Sequence, residues 1–64
     1  MLGANIRKIR QKRKLTQDKL ARLADIPYTS ITKIETGVIK QPSVQVVAKI
    51  AKVLNTTVEE LLKQ

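Results

Sequence analysis

The chain reads as an all-α domain, a compact bundle of five short helices. Three observations predict this. Apolar residues recur at helical spacing, as in Leu2, Ile6 and Ile9, in Leu20, Ala21 and Ala24, in Ile31 and Ile34, and in Val44, Val47, Ile50, Ala51 and Leu54. Start and stop signals punctuate these runs closely, at Thr16, Asp25-Ile26-Pro27, Gly37, Ser43, Asn55 and Thr57. The 64 residues hold 7 Ile, 7 Leu and 6 Val but no Phe or Trp, which suits one small aliphatic core. At roughly 1.5–3 kcal/mol gross per buried side chain, that set can hold one compact helical domain before entropy is subtracted. A single domain, 1–64, is expected.

The first helix is expected over residues 2–13, with Leu2, Ile6 and Ile9 inward. Six of the eight residues 7–14 are basic and are expected to form a phosphate-facing surface, and Arg13 and Lys14 are also favourable near the helix's C-terminal end. Leu15 belongs to the core, and Thr16 is a good N-cap for a second helix over 17–24. Asp18 sits in its first turn and can pair with Arg22 four residues on. Pro27 removes a backbone donor and pushes Ile26 out of the helical region, so Asp25-Ile26-Pro27 is a turn. Aspartate tolerates the left-handed conformation such a turn asks for. A third helix follows over Tyr28 to Thr36, with Ile31 and Ile34 inward. Thr29 and Lys33 then point outward, Tyr28 and Thr32 flank them, and Thr36 lies further along the same side. Two helices crossing steeply over so short a turn need a small residue where they touch. Ala21 is placed to be that residue, and Ile26 and Ile31 would seal the angle. This is the helix-turn-helix pattern, whose second helix enters a DNA major groove.

Gly37 ends the third helix in a left-handed residue. Residues 38–42 form a loop with Lys40 and Gln41 exposed. Ser43 caps a fourth helix, which ends at Asn55, where asparagine substitutes for glycine. Thr57-Val58-Glu59-Glu60 is a capping box opening a fifth helix that ends at 62 or 63. Val58, Leu61 and Leu62 close the core, and the apolar surface left over is a candidate homodimer contact.

Beyond the bipartite unit, the ordered set of Leu15-Thr16-Gln17, Ile34-Glu35-Thr36-Gly37, Pro42-Ser43 and Glu60-Leu61-Leu62 resembles the phage-repressor/Cro class of helix-turn-helix domains, the XRE family. The resemblance covers essentially the whole chain. It implies a lambda-repressor-like fold and a transcriptional regulator that binds double-stranded DNA. It implies that Gln17 grips a phosphate at the start of the second helix, where free backbone N–H groups serve the same purpose. It also implies that the loop bearing Lys40 and Gln41 lies along the DNA backbone, and that Arg10 and Glu35 form an ion pair tying the first helix to the third. The family commonly has Gly where Lys14 and Asp25 stand, and Ser or Thr where Pro27 stands.

The residues themselves supply the DNA chemistry. Lys33 can donate to guanine O6 and N7, and Thr29 and Thr32 can reach bases or thymine methyls. Tyr28, the one aromatic residue, stands at the exposed start of the reading helix. Tyr28, Thr29, Thr32 and Lys33 are therefore the expected base readers. Arg10, Gln17, Lys40, Gln41 and Ser43 are the expected phosphate contacts. The net charge of +8 is concentrated in residues 1–24, which carry 8 basic and 1 acidic side chains. Such asymmetry points to a polyanionic partner.

Other classes are excluded. Without histidine or cysteine the chain lacks the commonest general base, the commonest metal ligand and any disulfide framework. No paired carboxylates, nucleophile–base arrangement or Gly-rich phosphate loop is present, so no enzyme, cofactor or metal is expected. No segment approaches transmembrane length and no signal peptide precedes Arg7, so a cytoplasmic location is expected. The alternative reading is an antitoxin or other protein-interaction module on the same fold. Operator, effector, solution oligomeric state and the choice between repression and activation are not written in the sequence.

Overall fold

The computed structural model describes residues 2–63. Five helices follow one another: α1 (Leu2–Lys12), α2 (Gln17–Ala24), α3 (Tyr28–Thr36), α4 (Val44–Val53) and α5 (Val58–Leu62). α1 packs against α3 and α5, α2 against α3 and α4, and α4 against α5. At their centre Ile6, Leu20, Ile31, Ile50, Leu54 and Leu61 are fully enclosed. Ala21, Ala24 and Ile26 complete the α2–α3 corner as buried residues.

All four connections use one left-handed residue. Lys14 (φ 58°), Asp25 (φ 57°), Gly37 (φ 86°) and Asn55 (φ 56°) each follow a helix end. Three of these connections close in the same way. The left-handed residue's N–H returns to a carbonyl three residues back, and the next N–H to one five residues back. The pairs are Lys14 to Gln11 and Leu15 to Arg10, Asp25 to Arg22 and Ile26 to Ala21, Asn55 to Lys52 and Thr56 to Ala51. This satisfies the helix's last carbonyls and turns Leu15 and Ile26 back toward the core.

Three helix starts carry the side-chain cap their sequences indicate, the box at Thr57 being formed by its hydroxyl half alone. Thr16, Ser43 and Thr57 each accept a hydrogen bond from the backbone N–H three residues on. Pro27, in the cap position of α3, offers no side-chain acceptor and contributes only its fixed φ of −56°. The exposed pair Asp18–Arg22 forms at 3.1 Å.

Two expectations need correction. α1 ends at Lys12, one residue short of the expected bound, although Arg13 keeps the helical hydrogen bond to the Ile9 carbonyl at 3.0 Å before the chain turns at Lys14. Val44, counted with the inward stripe of α4, is 78% exposed. It lies about a quarter turn from the line through Val47, Ile50 and Leu54. The opposite edge, with Val46 and Val53, is the one that neighbours cover.

Two residues unremarked in the sequence set the seams of α1. A side chain on Gly3 would overlap the Ile34 carbonyl oxygen and meet that of Glu35 at 3.0 Å, so α1 and α3 approach as closely as backbones allow. Asn5 donates through Nδ2 to the Leu61 carbonyl at 2.8 Å and to the Lys63 carbonyl, fastening α5 to α1.

Candidate nucleic-acid interface

The geometry begins at Glu35. Its side chain is 2% exposed yet ends in a carboxylate, so it needs partners. Arg10 supplies two in parallel, Nε to Oε2 at 2.8 Å and Nη2 to Oε1 at 3.1 Å. Gln17 Nε2 adds a third, to Oε1 at 3.0 Å. Arg10 Nη1 donates to the Leu15 carbonyl at 2.8 Å, so the same guanidinium also fixes the α1–α2 turn. Among the described residues no buried side-chain nitrogen or oxygen lacks a partner.

The network ties together α1, the start of α2 and the end of α3. Tyr28, at the start of α3, stands nearby, with its hydroxyl 3.5 Å from Gln17 Oε1. An open cleft therefore runs between the three elements, lined by Arg7, Gln17, Asp18, Tyr28, Glu35 and Thr36 among others. Glu35 and Arg10 neutralise each other at its floor. Arg7 is the cation left at its rim.

The structure parts the two roles foreseen for Arg10. The ion pair is present, and Arg10 is 9% exposed with its fork already engaged by Glu35 and the Leu15 carbonyl. Arg7, three residues earlier on the same edge of α1, is the exposed cation there. By sequence Arg7 is one of six basic residues of 7–14 expected to face phosphate, with nothing to set it apart from the others. Once Arg10 is placed, the spacing of three from it is the signal that singles Arg7 out.

α3 presents the predicted face. Thr29, Lys33 and Thr36 are exposed, Tyr28 is 49% exposed and Thr32 is half-buried, with Ile31 and Ile34 behind them. Two hydroxyls are turned onto the helix itself. Thr32 Oγ1 donates to the Thr29 carbonyl and Thr36 Oγ1 to the Thr32 carbonyl, both at 2.8 Å. Thr32 thus offers a methyl group and an acceptor rather than a donor.

Beside this face stand two helix starts. At α2 the Thr16 cap serves the Lys19 N–H, and the N–H groups of Gln17 and Asp18 remain outside the helical ladder. At α4 the Ser43 hydroxyl accepts from the Val46 N–H at 3.2 Å and keeps its own proton to donate. Between α3 and α4, Ile39 packs on the core and its N–H returns to the Lys33 carbonyl at 3.0 Å. That anchor holds Lys40 and Gln41 exposed immediately after it. Among the described residues no group of acidic side chains could hold a metal ion, and no helix is long and apolar enough to cross a membrane.

Comparison with known proteins bears on the family and the fold. A family model described as helix-turn-helix matches residues 6–61. A crystal structure of SinR, a master regulator of biofilm formation, in complex with DNA is similar at 28% identity. The match covers 98% of this chain and 100% of that one, with a TM-score of 0.95. The N-terminal DNA-binding domain of SinR from Bacillus subtilis is similar at 28% identity, over 100% of this chain and 93% of that one, with a TM-score of 0.96. A SinR–SinI protein complex also matches at 28% identity, where this chain spans 62% of the matched chain, with a TM-score of 0.96. No curated protein sequence matches significantly.

Proposed function

The chain belongs to the phage-repressor (XRE) class of the helix-turn-helix family and is a sequence-specific DNA-binding transcriptional regulator, and from that premise we propose how its surface divides reading from gripping. The outward face of α3 enters the major groove. Lys33 and Thr29 meet base edges, Thr32 presents its methyl group, and Tyr28 contacts the edge of the groove near α2. The starts of α2 and α4, with Gln17 and Ser43, hold phosphates on either side, and Lys40 and Gln41 hold the backbone beyond α3. Arg7 takes the phosphate role first expected of Arg10.

The observation that carries this reading is the face of α3 itself. Its apolar residues are sealed behind it, while its exposed residues, Tyr28 apart, are small, polar or cationic and lie between two capped helix starts. A similar fold bound to DNA in SinR supports it. The domain works by binding, with no chemical step of its own, and it acts where the chromosome is. A homodimer on DNA, meeting through the C-terminal region where Leu62 is 54% exposed, would place two α3 helices about 34–36 Å apart on successive turns.

Selection of bound sequences from a random duplex pool tests the reading. A defined recurrent motif is the expected result. A pool that stays random under stringent washing would reject base reading by α3.

A further inference from the structure

α1 carries two cationic edges. At about 100° per residue, Arg7 shares the α3-facing edge with Arg10, whereas Lys8 and Lys12, four residues apart, share the edge facing α5. Lys8, Lys12 and Lys63 rim a cleft whose floor includes Ile9. Ile9 and Lys12 continue into a second cleft beside Arg13, Asn55 and Thr56. The two clefts form one groove along α1, bounded by α5 and the α4–α5 turn.

All four cations are exposed. Among the described residues none is within ion-pair reach of a carboxylate, Glu60 at the groove's edge included. The surface assigned to DNA lies on α3, on the starts of α2 and α4, on the loop bearing Lys40 and on the Arg7 edge of α1, and it leaves the charges of the other edge unused. Clustered like charges repel one another, and the half-buried Ile9 remains partly wet beneath them. An occupant with several carboxylates and one apolar side chain relieves both conditions.

We propose that the α1–α5 groove docks an acidic peptide segment of a partner protein, its carboxylates against Lys8, Lys12, Arg13 and Lys63 and one apolar side chain on Ile9. The apolar floor favours a peptide over a second DNA duplex, because a phosphate backbone offers nothing to Ile9. Docking here leaves α3 free, so peptide and DNA bind the domain together.

The test is fluorescence anisotropy of a labelled short peptide of glutamates around one central leucine, titrated at low salt. It is read first on the free protein, then on protein saturated with its preferred duplex. The peptide is expected to bind both forms. The Lys8→Gln, Lys12→Gln double variant should weaken the peptide about tenfold and leave DNA affinity nearly unchanged. Both side chains are exposed, so its thermal midpoint should match the wild type. Replacing the leucine by serine should weaken binding. The proposal is overturned if the peptide does not bind, if the duplex displaces it, or if the double variant weakens DNA as much as peptide. It is equally overturned if the all-polar peptide binds as well, or if a second duplex occupies the groove. Failure on the free protein leaves the assignment of α3 untouched.

Discussion

Arg10 and Glu35 meet through two parallel hydrogen bonds across the seam between α1 and α3, at 2.8 and 3.1 Å, with side-chain exposures of 11% and 2%. The planar guanidinium fork matches the carboxylate edge to edge, a geometry lysine could not reproduce. The pair holds three elements in register and sets the cleft in which Gln17 and Tyr28 stand.

Arg10→Met leaves Glu35 buried with Gln17 alone. Breaking a buried pair from one side costs on the order of 3–5 kcal/mol, so loss toward that range is expected in urea denaturation. Arg22→Met removes the exposed Asp18 pair and should cost at most about 1 kcal/mol. A double-mutant cycle joining Arg10→Met with Glu35→Gln should show strong coupling, and strict additivity would reject the pair as a structural tie.

Gly3→Ala reverses the usual sign for a glycine in a helix. Alanine there would ordinarily gain about 0.5–1 kcal/mol. Here the added methyl group meets two backbone carbonyls of α3, which cannot swing aside as a flexible side chain would. A net loss of about 1–3 kcal/mol is expected from the forced separation of α1 and α3. A raised thermal midpoint would show that the seam is looser than described.

Lys14 and Asn55 share a positive φ but not its cost. Lys14→Gly relieves about 1 kcal/mol of left-handed strain and returns part of it through a more flexible unfolded chain. A small net gain in stability is expected. Asparagine tolerates this conformation, so Asn55→Gly should be near neutral. Paired thermal melts decide it, and a larger gain at Asn55 than at Lys14 would contradict the account.

DNA affinity should fall steeply with salt. If about 5–6 phosphates are neutralised per domain, the log–log slope should be near −5. Titrations at several salt concentrations measure it. A slope shallower than about −2 is incompatible with phosphate contacts at both helix starts, at Arg7 and along the loop.

Lys33 and Lys40 separate reading from gripping. Lys33→Ala should cost about 1–3 kcal/mol on the preferred site and relax preference at one or two base pairs. Lys40→Ala should weaken all sequences alike and lower the salt slope by about one. Both side chains are exposed, so both variants should stay folded. Binding to the preferred site and its single-base variants distinguishes them. Uniform weakening by Lys33→Ala, with altered base preference from Lys40→Ala, would mean that α3 is not the reading element.

By itself the sequence determined what depends on a few neighbouring residues. The bounds of α2 and α3, the caps at Thr16, Ser43 and Thr57, and the left-handed ends at Asp25, Gly37 and Asn55 follow from local sterics and hydrogen bonding, which act within one turn of the chain. The outward face of α3 follows from its 3.6-residue period once Ile31 and Ile34 are assigned inward. The resemblance already implied the pairing of Arg10 with Glu35; only the tertiary structure decided that Arg10 is thereby buried while Arg7 stays exposed, because Glu35, 25 residues away, faces one and not the other. Asn5 finds its acceptor 56 residues along the chain, and the need for Gly3 exists only because α3 passes against it. Val44 has the spacing of a core residue yet stays in water, since burial requires a neighbour to cover it and periodicity names only the direction it faces.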